Sequence, residues 1–124
     1  MDKIKLIRIP IYDGNLGIVF TSDKIDIDKY VNVEFYSKEE IFCQTFSTEI
    51  DDKRTYLVAF NVKHSNYLVT NGHIAHECLH AANMCLGHIG DIASHENDET
   101  LAYLLDWMVD QVYTYMKEYK ITIK

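Results

Sequence analysis

The helical layer of this protein is decided by one stretch of sequence, GHIAHECLHAANMCLGH at residues 72–88. Its apolar residues recur at the spacing of an α-helix, which turns by about 100° per residue. With position 76 as the origin, the apolar side chains fall between about 140° and 300°, and the polar ones occupy the remaining arc. We therefore predict a helix that buries Ile74, Ala75, Cys78, Leu79, Ala81, Ala82, Cys85 and Leu86 and turns His73, His76, Glu77, His80, Asn83 and His88 away from the core.

Within this helix, residues 76–80 match the pattern H-E-x-x-H. A spacing of four residues brings His76 and His80 to one face, with Glu77 about 100° round the axis. Imidazole nitrogens are zinc ligands, and a carboxylate beside them suits a base that takes a proton from water at the metal. We predict that His76 and His80 bind Zn²⁺ and that Glu77 is the catalytic base. The ordinary alternative for each histidine alone is a solvated or hydrogen-bonded ring.

A second amphipathic helix is predicted from about residue 98 to residue 118, and it supplies a third ligand. Catalytic zinc sites normally have three protein ligands and one open position. Glu99 follows His80 after 18 intervening residues and is our candidate. One stripe of this helix is polar and reads Glu99, Tyr103, Asp106, Asp110. The opposite side is apolar and consists of Leu101, Ala102, Leu104, Leu105, Met108, Val109, Val112, Tyr115 and Met116.

These residues resemble the gluzincin metallopeptidases, in which H-E-x-x-H on one helix is completed by a glutamate on the next. The spacing and the tetrapeptide at residues 99–102, ETLA, look like the H-E-x-x-H, eighteen residues, E-x-x-A pattern of the aminopeptidase branch. The resemblance covers residues 73 to about 107. It implies a zincin-like core, a zinc cofactor, and a peptide or protein substrate. Residues 97–103 also look similar to minimal zincins predicted in phages and prophages.

The sequence departs from these families in its substrate-binding and supporting residues. There is no G-A-M-E-N segment, so aminopeptidase activity is not carried over. Thermolysin-like enzymes have an aspartate four residues after the third ligand, where this chain has Tyr103. The metzincin extension is excluded, because it demands glycine at Asn83 and histidine at Leu86.

Further polar residues are candidates to support the metal site or to compete for it. An imidazole ligand needs an acceptor for its second N–H, and an oxyanion needs a donor. The candidate acceptors are Asp98 and Asp106, the candidate donors are Tyr103, His95 and Tyr113, and the competing ligands are His73, His95 and Glu96.

Upstream of the helices the sequence predicts a mainly antiparallel sheet, which makes the fold class α+β. Strands are predicted at residues 3–9, 16–21, 40–48 and 55–62, with a further one possible at 33–36 and a short helix ending near Val31. The first two strands form a hairpin, and so do the last two. Residues 55–62 have two interpretations: an edge strand that holds extended peptide, or a strand in the centre of the sheet.

Composition fits a single domain spanning residues 1–124. The chain is 48% hydrophobic with a net charge of −7, which opposes attraction to nucleic acid phosphates or anionic membranes. No apolar run is long enough for a membrane helix and the N-terminus lacks a secretory signal, so we expect a cytoplasmic protein. Three cysteines cannot all pair, and Cys78 and Cys85 lie on the apolar helix face, so we expect reduced core residues.

The sequence thus predicts a zinc-dependent hydrolase, most specifically a metallopeptidase. The alternative is a noncatalytic binding or regulatory protein, such as one encoded by a mobile element, in which zinc stabilises the fold. The two differ at the fourth coordination position, which a structural site closes with protein and a catalytic site leaves to water. Substrate, physiological metal and oligomeric state stay open at this stage.

Overall fold

A computed structural model describes residues 4–21, 43–61, 68–91, 94–96, 98–119 and 122–123 of the chain. Its elements are four main strands, two long helices and one small two-stranded sheet. In chain order they are β1 (Lys5–Arg8), β2 (Asn15–Thr21), β3 (Cys43–Ile50), β4 (Lys53–Asn61), β5 (Leu68–Val69), α1 (Asn71–His88), α2 (Glu99–Tyr119) and β6 (Thr122–Ile123). The predicted α+β class is confirmed. The predicted short helix and the strand at residues 33–36 lie outside the described residues.

The main sheet has the strand order β1-β2-β4-β3. Both predicted hairpins are confirmed, because β1 pairs antiparallel with β2 and β3 pairs antiparallel with β4. The sheet is nevertheless mixed, since β2 and β4 are parallel. A parallel pair needs a crossover of a dozen or more residues, and the chain between β2 and β4 is long enough to supply one.

The β3–β4 hairpin closes through a turn of two residues. Asp51 and Asp52 have φ angles of 55° and 62°, as a type I′ turn requires at both central positions. Aspartate tolerates this left-handed conformation better than most side chains. The charged residues Glu49 and Arg54 were expected to belong to a loop, but they pair across the two strands. The hairpin strands therefore extend further than the polarity of the sequence indicated.

Strand β4 lies in the centre of the sheet, between β2 and β3. Its residues from Thr55 to Phe60 are all buried, as expected for a strand covered on both faces. The interpretation of residues 55–62 as a peptide-holding edge strand is therefore wrong for the described part of that range. Alternate side chains contribute to two apolar clusters: Tyr56, Val58 and Phe60 to the larger one, shared with both helices, and Leu57 and Ala59 to a smaller one.

Helix α1 begins and ends with recognisable caps. Thr70 is its N-cap, and the Thr70 Oγ1 accepts a hydrogen bond of 3.0 Å from the backbone N–H of His73. At the other end, the N–H of Asp91 donates to the carbonyl of Leu86, and the N–H of Gly90 donates to the carbonyl of Gly87. Gly90 has a φ of 78°, so these bonds form a Schellman motif. The observed helix agrees with the predicted one to within one residue.

Helices α1 and α2 are antiparallel and pack side by side on one face of the sheet. The Tyr113 hydroxyl near the end of α2 donates a hydrogen bond to Asn71, the first residue of α1. Helix α1 contacts β3 and β4, whereas α2 contacts β2. Neither helix is long and apolar enough to cross a membrane, nor is any other helix in the part of the chain that the structure describes.

Candidate metal centre

The imidazoles of His76 and His80 converge on the outer face of α1. Their Nε2 atoms are 3.2 Å apart, and the two rings stand nearly perpendicular, at an interplanar angle of 82°. The side chain of His76 is 66% exposed, so core packing does not force this arrangement. The described structure thus brings two of the predicted ligands together at the surface.

The separation of the two Nε2 atoms fits a single tetrahedral ion. Two nitrogens that each lie about 2.05 Å from zinc in tetrahedral geometry are about 3.3 Å apart. The observed 3.2 Å agrees with this value. It also fits a direct hydrogen bond between the imidazoles, in which one ring donates and the other accepts. Both Nε2 lone pairs could face one ion if each neutral ring carried its proton on Nδ1.

Glu77 lies beside this pair and is tied to strand β3. Its side chain is only 4% exposed, and its Oε2 is 3.8 Å from the Nε2 of His76. The Thr45 hydroxyl lies 2.8 Å from Oε1 of Glu77 and 3.0 Å from its backbone carbonyl oxygen. The Cys43 thiol donates to Oε2 over 3.2 Å. Both carboxylate oxygens therefore have a donor from β3, and Oε2 also faces the histidines.

Cys43 is held in its protonated form by this environment. Burial raises the pKa of the Cys43 thiol to about 12, and the neighbouring Glu77 carboxylate adds to the rise. The thiol is accordingly a hydrogen-bond donor to Glu77 at neutral pH. Burial also raises the pKa of Cys78 to about 12, again with a contribution from Glu77, and raises the pKa of Cys85. All three cysteines are unpaired, and Cys78 and Cys85 are buried, as expected for reduced core residues, whereas Cys43 is half-buried.

The prediction that Glu77 faces away from the core is wrong. Glu77 is buried, whereas Ala75 and Leu79, both predicted to be buried, are exposed. The buried arc of α1 is rotated toward Glu77 because β3 covers that flank of the helix with small polar side chains that can pair with a carboxylate. A helical wheel treats the core as uniformly apolar and cannot represent such a neighbour.

Glu99 is not grouped with the two histidines. Around the α1 axis, Glu77, which contacts β3, lies about 100° from His76. Asn71, which contacts α2, lies about 140° from His76 in the opposite direction. The histidines thus lie nearer to β3 than to α2. No three His, Cys, Asp or Glu side chains among the described residues are placed to hold a metal ion, and the role of Glu99 stays a prediction.

The other predicted site residues are dispersed. Asp98, Asp106, His95 and Glu96 are exposed, and Tyr103 is 72% exposed on the far flank of α2. Asp98 also accepts the first backbone hydrogen bond of α2, from Ala102. The remaining candidates lie near the start of α1, where the backbone of His73 completes the N-cap and Tyr113 is bonded to Asn71.

Thr45 and Cys43 are site residues that the sequence analysis missed. They contact Glu77 across a separation of more than 30 residues, which no local pattern reports. One signal was present, since Cys43, Thr45 and Ser47 alternate along the strand and give it one small, polar face.

Comparison with family models, with curated proteins and with solved structures finds no match to this chain.

Proposed function

We propose that this protein is a zinc-dependent hydrolase, with a peptide bond as its substrate. The observation that carries the proposal is the convergence of the His76 and His80 Nε2 atoms to 3.2 Å, with the Glu77 carboxylate 3.8 Å from His76. Two nitrogen ligands and one adjacent base are the core of a metal-assisted hydrolytic site. The resemblance of the motif to gluzincins adds the preference for an amide substrate.

The protein residues divide the work of hydrolysis between them. His76 and His80 offer neutral Nε2 lone pairs to the ion and fix its place on the outer face of α1. A zinc ion held there supplies Lewis acidity, which polarises a carbonyl and acidifies water. Glu77 takes the proton of the attacking water on Oε2 and returns it to the leaving amine. Thr45 holds Oε1, so Oε2 keeps its orientation toward the histidines while the proton moves.

Glu99 is the third ligand in this proposal. The spacing of 18 residues from His80 supports it, and so does its place as the first residue of α2. Binding would require Glu99 to approach the histidines, since it is not grouped with them among the described residues. We expect Glu99→Gln to weaken zinc binding by about tenfold or more, whereas Glu118→Gln, which changes an exposed glutamate near the other end of α2, leaves it unaltered. Equal zinc affinity in both variants would remove Glu99 from the site.

The function is tested with Glu77→Gln, which keeps the shape of the side chain and removes its basicity. We expect this variant to retain zinc, as measured by equilibrium dialysis, and to lose at least about a hundredfold in the cleavage of a quenched fluorescent peptide pool. Glu118→Gln changes an exposed glutamate near the end of α2, is the matched control and should cleave like the unaltered protein. Full activity of Glu77→Gln would show that Glu77 is not the base.

The second candidate function is a noncatalytic zinc-stabilised binding or regulatory module. It is favoured by one observation, which is that both Glu77 oxygens already have donors from β3, as in a purely structural carboxylate. X-ray absorption of the zinc-loaded protein separates the two functions. A shell with at least one water oxygen supports the hydrolase, whereas four protein ligands together with no cleavage of the peptide pool support the structural module.

A further inference from the structure

A second candidate site lies on the opposite flank of the helical layer, away from the histidines. It is a cavity of about 390 Å³ between the β1–β2 turn and the first half of α2. Around the α2 axis, Trp107 in this cavity lies about 120° from Tyr113, which contacts α1, so the cavity opens on the side of α2 that α1 does not cover. The residues that line it include Pro10, Ile11, Tyr12, Thr100, Tyr103 and Trp107. Its volume falls within the range of about 300–1,000 Å³ that is usual for ligand sites.

The cavity wall contains apolar side chains that folding has left in water. Ile11 is 94% exposed and Tyr103 is 72% exposed, although both are large and apolar. Leu104 and Trp107, by contrast, belong to or pack against the main core, so the cavity floor is anchored. A cluster of exposed apolar side chains over an anchored floor is typical of a surface that binds another molecule.

The backbone of the β1–β2 turn is strained at Ile11. Its φ is 59°, a left-handed conformation that is a genuine outlier for a β-branched residue. The N–H of Tyr12 donates to the carbonyl of Pro10 over 2.7 Å, which closes a tight three-residue turn around Ile11. Glycine or asparagine would satisfy this turn at lower cost. The strained turn therefore holds an isoleucine side chain at the mouth of the cavity, where it gains no burial.

Acidic residues lie next to the lining residues along the chain. Asp13 follows Tyr12 and Asp106 precedes Trp107, and both aspartates are exposed. The chain as a whole carries a net charge of −7, so its field reinforces this local charge. Tyr103 and Trp107 also offer aromatic faces, which attract Lys and Arg. An apolar floor with exposed acids beside its lining residues is complementary to an apolar side chain with basic neighbours.

We propose that this cavity binds a segment of a partner polypeptide in which a large apolar side chain is flanked by lysine or arginine. The apolar side chain enters between Ile11 and Trp107, and the flanking cations face Asp13 and Asp106. The site is independent of the proposed zinc chemistry, since none of the residues that line it is a proposed zinc ligand or the proposed base Glu77.

Trp107 is the only tryptophan of the chain, so its fluorescence reports on the cavity directly. The probe is an amidated peptide with one phenylalanine between two pairs of lysines. We expect a saturable change in emission, with binding weakened by about tenfold when Asp13→Asn and Asp106→Asn are combined. Glu118→Gln removes one exposed acid from the far end of α2 and is the matched control, expected to stay within about twofold. Added salt should weaken binding to the unaltered protein.

Two further peptides make the test decisive. One replaces every lysine with glutamate, and the other replaces phenylalanine with glycine. We expect both to bind at least about tenfold more weakly than the basic phenylalanine peptide. Tyr103→Ala should reduce binding without changing the thermal unfolding midpoint, because Tyr103 is exposed. The proposal is overturned by an unsaturable signal, by equal binding of either control peptide, or by equal binding in the Asp13/Asp106 double variant.

Discussion

The two flanks of the helical layer differ in which side chains they bury. On the α1–β3 flank, a buried carboxylate and two small polar side chains satisfy one another through hydrogen bonds of 2.8 to 3.2 Å. On the α2–β1 flank, large apolar side chains stay in water around a cavity, and the turn beside them is strained. The first flank holds a reactive group in place, whereas the second keeps apolar surface available. Substitutions on the α1–β3 flank should therefore lower the free energy of unfolding, whereas relief of the strained turn on the α2–β1 flank should raise it.

The largest effect is expected from Thr45→Val on the α1–β3 flank. Valine keeps the shape of threonine but removes the donor to the buried Glu77, and a hydrogen bond to a charged group contributes about 1.5–3 kcal/mol. We expect the free energy of unfolding, measured by urea titration, to fall by about 2 kcal/mol. Ser47→Ala changes an exposed hydroxyl on the same strand and should alter it by less than about 0.5 kcal/mol. Equal losses in the two variants would contradict a specific role for Thr45.

The pH dependence of stability should reveal the buried thiols of the same flank. Burial raises the pKa of Cys78 to about 12 from an ordinary value of 9.0, so above pH 9 the folded chain binds more protons than the unfolded chain. Stability is therefore complete below about pH 9 and falls as the pH rises toward 12. Cys78→Ala should lessen this fall by up to about 1.4 kcal/mol per pH unit. Parallel urea midpoints for the two proteins between pH 9 and 11 would count against a buried, protonated thiol.

A gain in stability is expected on the α2–β1 flank from Ile11→Asn. Asparagine tolerates the left-handed backbone at φ 59°, and removal of an exposed isoleucine costs no burial. We expect the free energy of unfolding to rise by about 1 kcal/mol. Asp51→Asn, at another left-handed position with a tolerant side chain, is the matched control and should change it by less than half as much. A loss of stability in Ile11→Asn would mean that the turn is not strained.

The features that could be predicted from the sequence are those that depend on a regular spacing of residues along the chain. Helix α1 was expected at residues 72–88 and runs from Asn71 to His88, because its apolar stripe repeats at the helical spacing. The convergence of His76 and His80 follows from the same spacing. The central position of β4 was one of two interpretations of its apolar run. The β3–β4 turn was predicted too long, because the charged residues Glu49 and Arg54 belong to the strands and pair with each other.

Contacts between residues that are far apart in the sequence could not be predicted from such spacings. The hydrogen bonds from Thr45 and Cys43 to Glu77 depend on how far α1 lies over β3, and that position is set by packing of the whole core. The parallel pairing of β2 with β4 depends on the path of the intervening chain. Isoleucine prefers a negative φ angle, so its φ of 59° at position 11 could not be predicted from its residue type. Such departures from the local preference of a residue are most common at functional sites.

The central claim is that His76 and His80 together bind zinc, and zinc stoichiometry tests it most directly. Equilibrium dialysis of the metal-depleted chain against micromolar zinc should give about one ion per chain, and His80→Ala should lower the affinity by at least about a hundredfold. His88→Ala, which removes an exposed imidazole from the far end of the same helix, should leave binding unchanged. Zinc binding that survives in the His76→Ala, His80→Ala double variant, or no binding by the unaltered chain, would contradict the account.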